Sequence, residues 1–130
     1  MTPSKGIRLK LLPELYSISR LGSSAPIPTW ADGEGFVSIS RSADELSIVC
    51  HQSRVPEDVQ HDRDWRCVQL VGPFAFDETG IVLSVVRPLS EADLGVFVVS
   101  TFDGDFLLLK ADRLPEGLAV LRDAGHSILD

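Results

Sequence analysis

The run Thr79-Gly80-Ile81 places a hydroxyl suited to capping, a residue without a side chain and the first residue of an apolar helical period in succession. That is the pattern of a helix start whose first-turn N–H groups face a ligand or water, with Asp77 as a second candidate for the cap. Such an end carries partial positive charge and attracts anions. The other residues with chemical potential form weaker patterns. Cys50, His51, His61 and Cys67 are metal-ligand types, but they lack a ligand spacing motif, and strand neighbours such as Cys50 and His51 point to opposite faces. No metal is expected. Ser84 and Ser100 stand in no nucleophile signature, and His126 reads as a surface or interface residue. The glycines form neither GxGxxG nor a P-loop, so no nucleotide cofactor is expected. With no acid, base and nucleophile set in view, the chain does not read as an enzyme.

The elements that position the helix start follow directly after it. Ile81, Val82, Val85, Val86 and Leu89 fall at three- and four-residue steps, the period of a helix with one face on a core. Val96, Phe97, Val98 and Val99 then read as a strand buried on both faces. Asp103-Gly104 separates that strand from Phe106, Leu107, Leu108 and Leu109, a strong short-range hairpin signal.

The chain has 130 residues, enough for one ordinary domain or two small units sharing a core, and 44% apolar content argues against disorder. A formal net charge of −7, with 12 scattered Lys and Arg residues, disfavours nucleic acid and anionic membrane as partners. Residues 1–10 lack the apolar run of a signal peptide and no stretch reaches the length of a membrane span, so a cytoplasmic protein is expected. In that setting Cys50 and Cys67 read as buried, reduced strand residues.

Taken in order, residues 7–11 and 15–21 read as strands broken at Pro13. Residues 22–35 form a loop pinned by Trp30, and residues 36–40 and 46–51 a hairpin. Residues 55–59 read as one helical turn, residues 61–64 as a charged hinge and residues 65–72 as a strand. After the helix and hairpin described above, a helix over 114–121 and a closing strand over 126–129 complete a β-α-β-β-α-β order. This is the ferredoxin-like arrangement, an antiparallel sheet with helices on one face. Arg54-Val55-Pro56-Glu57 matches Arg113-Leu114-Pro115-Glu116 at a separation of 59, which points to a duplication. The fold class is therefore α+β, with two ferredoxin-like units in tandem. The first, residues 1–63, is degenerate, its long helix replaced by the 22–35 loop, and the second, residues 64–130, is complete.

The strings LYSISRL, FVSISRSADELSIVC and FDETGIVLSVVRPLSEADLGVFVVSTFDGDFLLLKADRL resemble the tandem ACT-domain proteins of bacteria, which are similar to the Castor-type arginine sensors. The resemblance is most specific at TGI and VVSTFDGDFLL. It implies two ACT units that bind a small molecule, most often an amino acid, at an interface, without catalysis. It places ligand contacts on Glu78, Gly80, Ile81, Gly95, Val96, Thr101, Phe102 and Asp105. The physical reading agrees with that placement: N–H groups at Gly80 and Ile81 can take a carboxylate, bare backbone at Gly95 permits approach, and Glu78 with Asp105 can hold an ammonium or guanidinium. The Castor-type sensors build their site from two pairs of units, whereas this chain supplies one pair. A second copy then completes the assembly, and a homodimer is expected, with apolar residues 96–99 covered by a partner unit or chain.

Each of these residues also has a purely structural reading. Gly80 can serve as a helix-entry glycine and Gly95 as a helix C-cap, while Glu78 complements the helix dipole. Asp105 can be a solvated strand-end carboxylate, and Thr101 and Phe102 can simply complete a hairpin. The corresponding function is an adaptor module that pairs with another protein and binds no small ligand. Convergence of Glu78, Gly80, Gly95 and Asp105 on one concave pocket separates the two readings.

Overall fold

The structure, a computed structural model, describes residues 6–72, 74 and 80–129. Along the chain run β1 (Arg8–Leu11), β2 (Tyr16–Leu21), β3 (Ser38–Arg41), β4 (Leu46–His51), β5 (His61–Leu70), α1 (Ile81–Glu91), β6 (Phe97–Ser100), β7 (Asp105–Lys110), α2 (Leu114–Asp123) and β8 (Ser127–Leu129). Single 3-10 turns lie at Thr29–Ala31, Gln52–Arg54 and Ala111–Arg113. The fold is α+β and ferredoxin-like, and it divides into two compact units, Glu14–Trp65 and Met1–Pro13 with Arg66–Asp130.

In the first unit β4 lies between β2 and β3, and the beginning of β5 pairs with β2. Leu46, Ile48 and Cys50 alternate along β4 and pack with Ala31 and Val55 into one core. No α-helix occurs between residues 14 and 65; the 22–35 loop takes its place, as its composition suggests. Trp30 packs against this core, and the Arg54 guanidinium holds the loop by donating to the Trp30 carbonyl at 3.0 Å and the Glu34 carbonyl at 3.0 Å. Gly35 is bare for a steric reason, since at φ +85° a Cβ would lie 2.2 Å from His51 Nε2.

Two local expectations fail here. Residues 61–64 are not a hinge but the start of β5, with a register shift where β5 meets β2. Asp64 takes φ +67° and is held by Gln52, which accepts from its N–H at 2.6 Å and donates to its carboxylate at 3.0 Å. Residues 55–59 form no helix. The Val59 N–H reaches the Pro56 carbonyl at 3.2 Å and the chain turns straight into β5, leaving the helical content in the 3-10 turn Gln52–Arg54.

In the second unit α1 and α2 share a core with β1, β5 and β7, built on Leu9, Val68, Leu70, Val85, Leu89, Leu107, Leu109 and Leu121. β1 belongs here although it precedes the first unit in sequence. It pairs antiparallel with β5 and parallel with β8, so that Leu9 faces Leu70 on one side and Ile128 on the other. Ile7 and Leu9 supply apolar residues to this core, and Pro13 ends the run before β2 begins.

The 59-residue spacing of the short match extends to whole elements. β6, β7 and the 3-10 turn Ala111–Arg113 each begin and end 59 positions after β3, β4 and Gln52–Arg54. The hairpin tips match as well. Ser42 N–H bonds the Glu45 carbonyl at 2.9 Å and Thr101 N–H bonds the Gly104 carbonyl at 2.7 Å, each closing a four-residue connection. Asp103-Gly104 is therefore the end of a longer tip rather than a two-residue turn, and neither residue has positive φ.

Cys50 and Cys67 are buried free thiols on β4 and β5. Burial pushes the Cys50 thiol upward against a smaller opposing effect of the Arg54 guanidinium, and pushes Cys67 up to about 12. Folding thus favours the neutral Cys67 thiol over its unfolded value of 9.0. The associated stability is complete below that value and is lost as pH rises through the folded value. The urea midpoint is expected to fall between pH 9.0 and about 12, and Cys67→Ala should flatten that fall. Labelling of both thiols in the native protein at pH 8 should be far slower than in urea; rapid labelling would contradict their burial.

Candidate functional site

α1 begins at Ile81 because Gly80, at φ +80°, turns the chain into the helix as its N-cap. Among the described residues no side chain caps this end, and no acidic residue lies in the first turn. The capping expected of Thr79 or Asp77 lies outside the described residues. The N–H groups of Ile81, Val82 and Leu83 precede the first intrahelical bond, which runs from Ser84 N–H to the Gly80 carbonyl at 2.9 Å.

These residues face the β6–β7 tip across an open hollow of about 270 Å³. Gly80, Ile81, Val82 and Leu83 line it from α1, Ser100, Thr101, Phe102, Gly104 and Asp105 from the tip, and Phe74, whose N–H reaches the Asp103 carbonyl at 3.4 Å, completes the lining. Leu83 and Phe102 are 58% and 77% exposed at its edge. Ser100 donates its hydroxyl proton to Asp105 Oδ1, fixing the carboxylate at the head of β7. The Thr101 hydroxyl is committed to the tip, donating to the Gly104 carbonyl at 3.0 Å and accepting its N–H at 3.3 Å. Backbone donors thus stand on one side and a carboxylate on the other, with apolar surface between, which suits a small zwitterion.

Of the residues singled out from sequence, Gly80, Ile81, Thr101, Phe102 and Asp105 line this hollow. Glu78 lies outside the described residues. Gly95 and Val96 are not part of the lining. Gly95 is exposed at the entry to β6, where an added Cβ would meet nothing within 4 Å, and Val96 packs against the core. Nor is Gly95 a helix cap: Asp93, at φ +60°, takes that place, its N–H bonding Ser90 while Leu94 N–H bonds the Leu89 carbonyl. Phe74, Val82, Leu83, Ser100 and Gly104 were not expected in the lining. Leu83 alone carried a sequence signal, as an apolar residue off the buried stripe of α1. His126 also departs from expectation, being 4% exposed with both ring nitrogens hydrogen-bonded. Among the described residues no three His, Cys, Asp or Glu side chains are grouped to hold a metal, and no helix is long and apolar enough to cross a membrane.

A helix end facing a hairpin tip across a small hollow, within the ferredoxin-like unit that holds both α-helices, defines an α+β architecture. A family model described as an ACT domain matches residues 60–123, and a model of an N-terminal domain matches residues 14–58. The crystal structure of a protein from Agobacterium tumefaciens is 56% identical with a TM-score of 0.93, covering 97% of this chain and 94% of that one. Residues 60–123 of the chain belong to the ACT-domain family. The Homo sapiens cytosolic arginine sensor for mTORC1 subunit 1 is 33% identical over 94 residues, or 68% of this chain and 27% of that protein. The chain thus spans about a quarter of the length of the curated relatives it matches. Aspartate kinase from Clostridium acetobutylicum shares the fold alone, at 12% identity and a TM-score of 0.63 over 92% of this chain and 34% of the kinase.

Proposed function

We propose that this chain is a regulatory module, not a catalyst, and that it binds an amino acid in the hollow between the start of α1 and the β6–β7 tip. The observation that carries the reading is the meeting of the first turn of α1, which no described side chain caps, with the Asp105 carboxylate in one concave space. The ACT family and the arginine sensor among the relatives support the same reading. In this pose the α-carboxylate docks on the helix end and the cationic groups turn toward Asp105. Glu78, adjacent in sequence, is proposed as a second acidic contact, and Gly95 and Val96 as contacts completed by a second copy of the chain. A thermal-shift screen of the twenty amino acids tests this. A ligand at a hundred times its dissociation constant adds about 2.7 kcal/mol of stability. If no amino acid shifts the transition at millimolar concentration, the adaptor reading replaces it.

A homodimer is proposed alongside. Val98 and Val99 on β6 stay half-buried within one chain although their sequence run suits full burial. Sedimentation equilibrium is expected to give twice the chain mass; a monomer at all micromolar concentrations would refute the assembly and the Gly95 and Val96 contacts with it, but not binding in the hollow.

A further inference from the structure

Pro88 lies inside α1. A proline has no N–H, so the carbonyl four residues before it, that of Ser84, loses its helical donor. In this protein that carbonyl bonds His126 Nε2 at 2.9 Å. The other ring nitrogen settles which atom carries the proton: Nδ1 accepts the Ile7 N–H at 3.0 Å, so Nε2 of the neutral ring holds the hydrogen and donates it to Ser84. At 4% exposure, little water reaches the ring to compete.

The imidazole is placed there by the end of α2. Gly125, at φ +100°, donates its N–H to the Arg122 carbonyl at 2.9 Å, and His126 N–H reaches the Leu121 carbonyl at 3.1 Å. This is a Schellman ending, which fixes the residue after the glycine relative to the helix. Ser84, for its part, closes the ligand-facing turn. Its N–H bonds the Gly80 carbonyl at 2.9 Å and its hydroxyl donates to the Ile81 carbonyl at 2.7 Å, so Ser84 clamps both residues at the head of the hollow.

We infer that His126 is a positioning residue for the site: it supplies the donor that Pro88 removes, and so ties the first turn of α1 to Ile7, just before β1, and to the end of α2. The functional consequence rests on the hollow being the ligand site, but the joint itself does not. Hydrogen exchange of backbone amides in the ligand-free chain tests it. His126→Asn keeps an acceptor near the Nδ1 position and loses the reach to Ser84. The Ser84 amide is expected to exchange about fivefold faster relative to the amides of Leu107 and Leu108 in β7. In Pro88→Ala the restored N–H at position 88 makes His126 redundant for Ser84, so adding His126→Asn there should change the relative rate by less than about twofold. Should the single variant fail to fold, folding of the double variant would make the same point. Equal acceleration of Ser84 and the β7 amides, an unchanged Ser84 amide, no rescue by Pro88→Ala, or failure of both variants to fold would each overturn the proposal. Since no ligand is used, failure of every amino acid to bind would leave this result standing.

Discussion

Leu89→Ala is expected to lower the stability of the protein by about 2–5 kcal/mol, the range for deleting a fully buried leucine side chain from a packed core. Leu89 is fully buried, and it packs against α2. Gly117 on α2 faces it, with the position of a Cβ there only 3.7 Å from Leu89 Cδ2 and 2.9 Å from Leu109 Cδ1. Because the close approach already uses a glycine, the helices have little side-chain bulk with which to fill a void, and the cavity term should persist rather than collapse. Leu89 also supplies the carbonyl that ends α1 by accepting the Leu94 N–H at 3.0 Å, a bond that the alanine variant retains. Leu83→Ala on the exposed side of α1 is the matched control and should change stability by no more than about 0.5 kcal/mol. Urea titration of both variants measures the difference. Equal midpoints would mean that the α1–α2 packing contributes little to the folded state.

The buried stripe of α1 was legible because period 3.6 needs only one helix to be expressed, and Val85 and Leu89 are indeed buried. The same holds for the β6–β7 hairpin, whose two strands carry their own patterning. What period could not show was partnership across long separations. Nothing in Arg8–Leu11 says that it pairs with β5 and β8 in the later unit, because alternation gives a strand its faces but not its neighbours. His126 was misread for the same reason: its two bonds go to residues 119 and 42 positions away. Pro88 does announce from sequence that the Ser84 carbonyl lacks a helical donor, yet no rule of spacing names the group that replaces it. Asp93 in place of Gly95 at the end of α1 shows a different limit. A short polar side chain tolerates positive φ well enough to compete with a glycine two residues on, and composition alone favours the glycine. At the site, the helix start and the acidic hairpin residue were both visible as local patterns. Their meeting in one hollow follows from packing α1 beside β6 and β7.

Asp105→Asn is expected to weaken binding of a verified amino-acid ligand by about tenfold or more, since hydrogen bonds to charged groups contribute roughly 1.5–3 kcal/mol. The substitution removes a charge and keeps a shape. Ser100 can still donate its hydroxyl to the amide oxygen, so the pairing of Ser100 with Asp105 at the end of β6 and β7 should survive. Folding should therefore be nearly unchanged, and a loss of affinity can be read as a loss of electrostatic attraction. The preference among ligands follows from the same geometry. With the α-carboxylate at the N–H groups of the first turn, any second negative charge would approach Asp105, so basic or uncharged amino acids should bind better than aspartate or glutamate. Asp103→Asn provides the control. Asp103 is exposed, two residues away on the same tip and outside the lining of the hollow, so it alters the net charge equally without touching the ligand. Calorimetry on the three proteins separates the possibilities. A drop for Asp105→Asn alone places the cationic end of the ligand at this carboxylate, and equal drops for both variants reduce the effect to long-range charge. Unchanged affinity in both would move the ligand's ammonium away from the β6–β7 tip altogether.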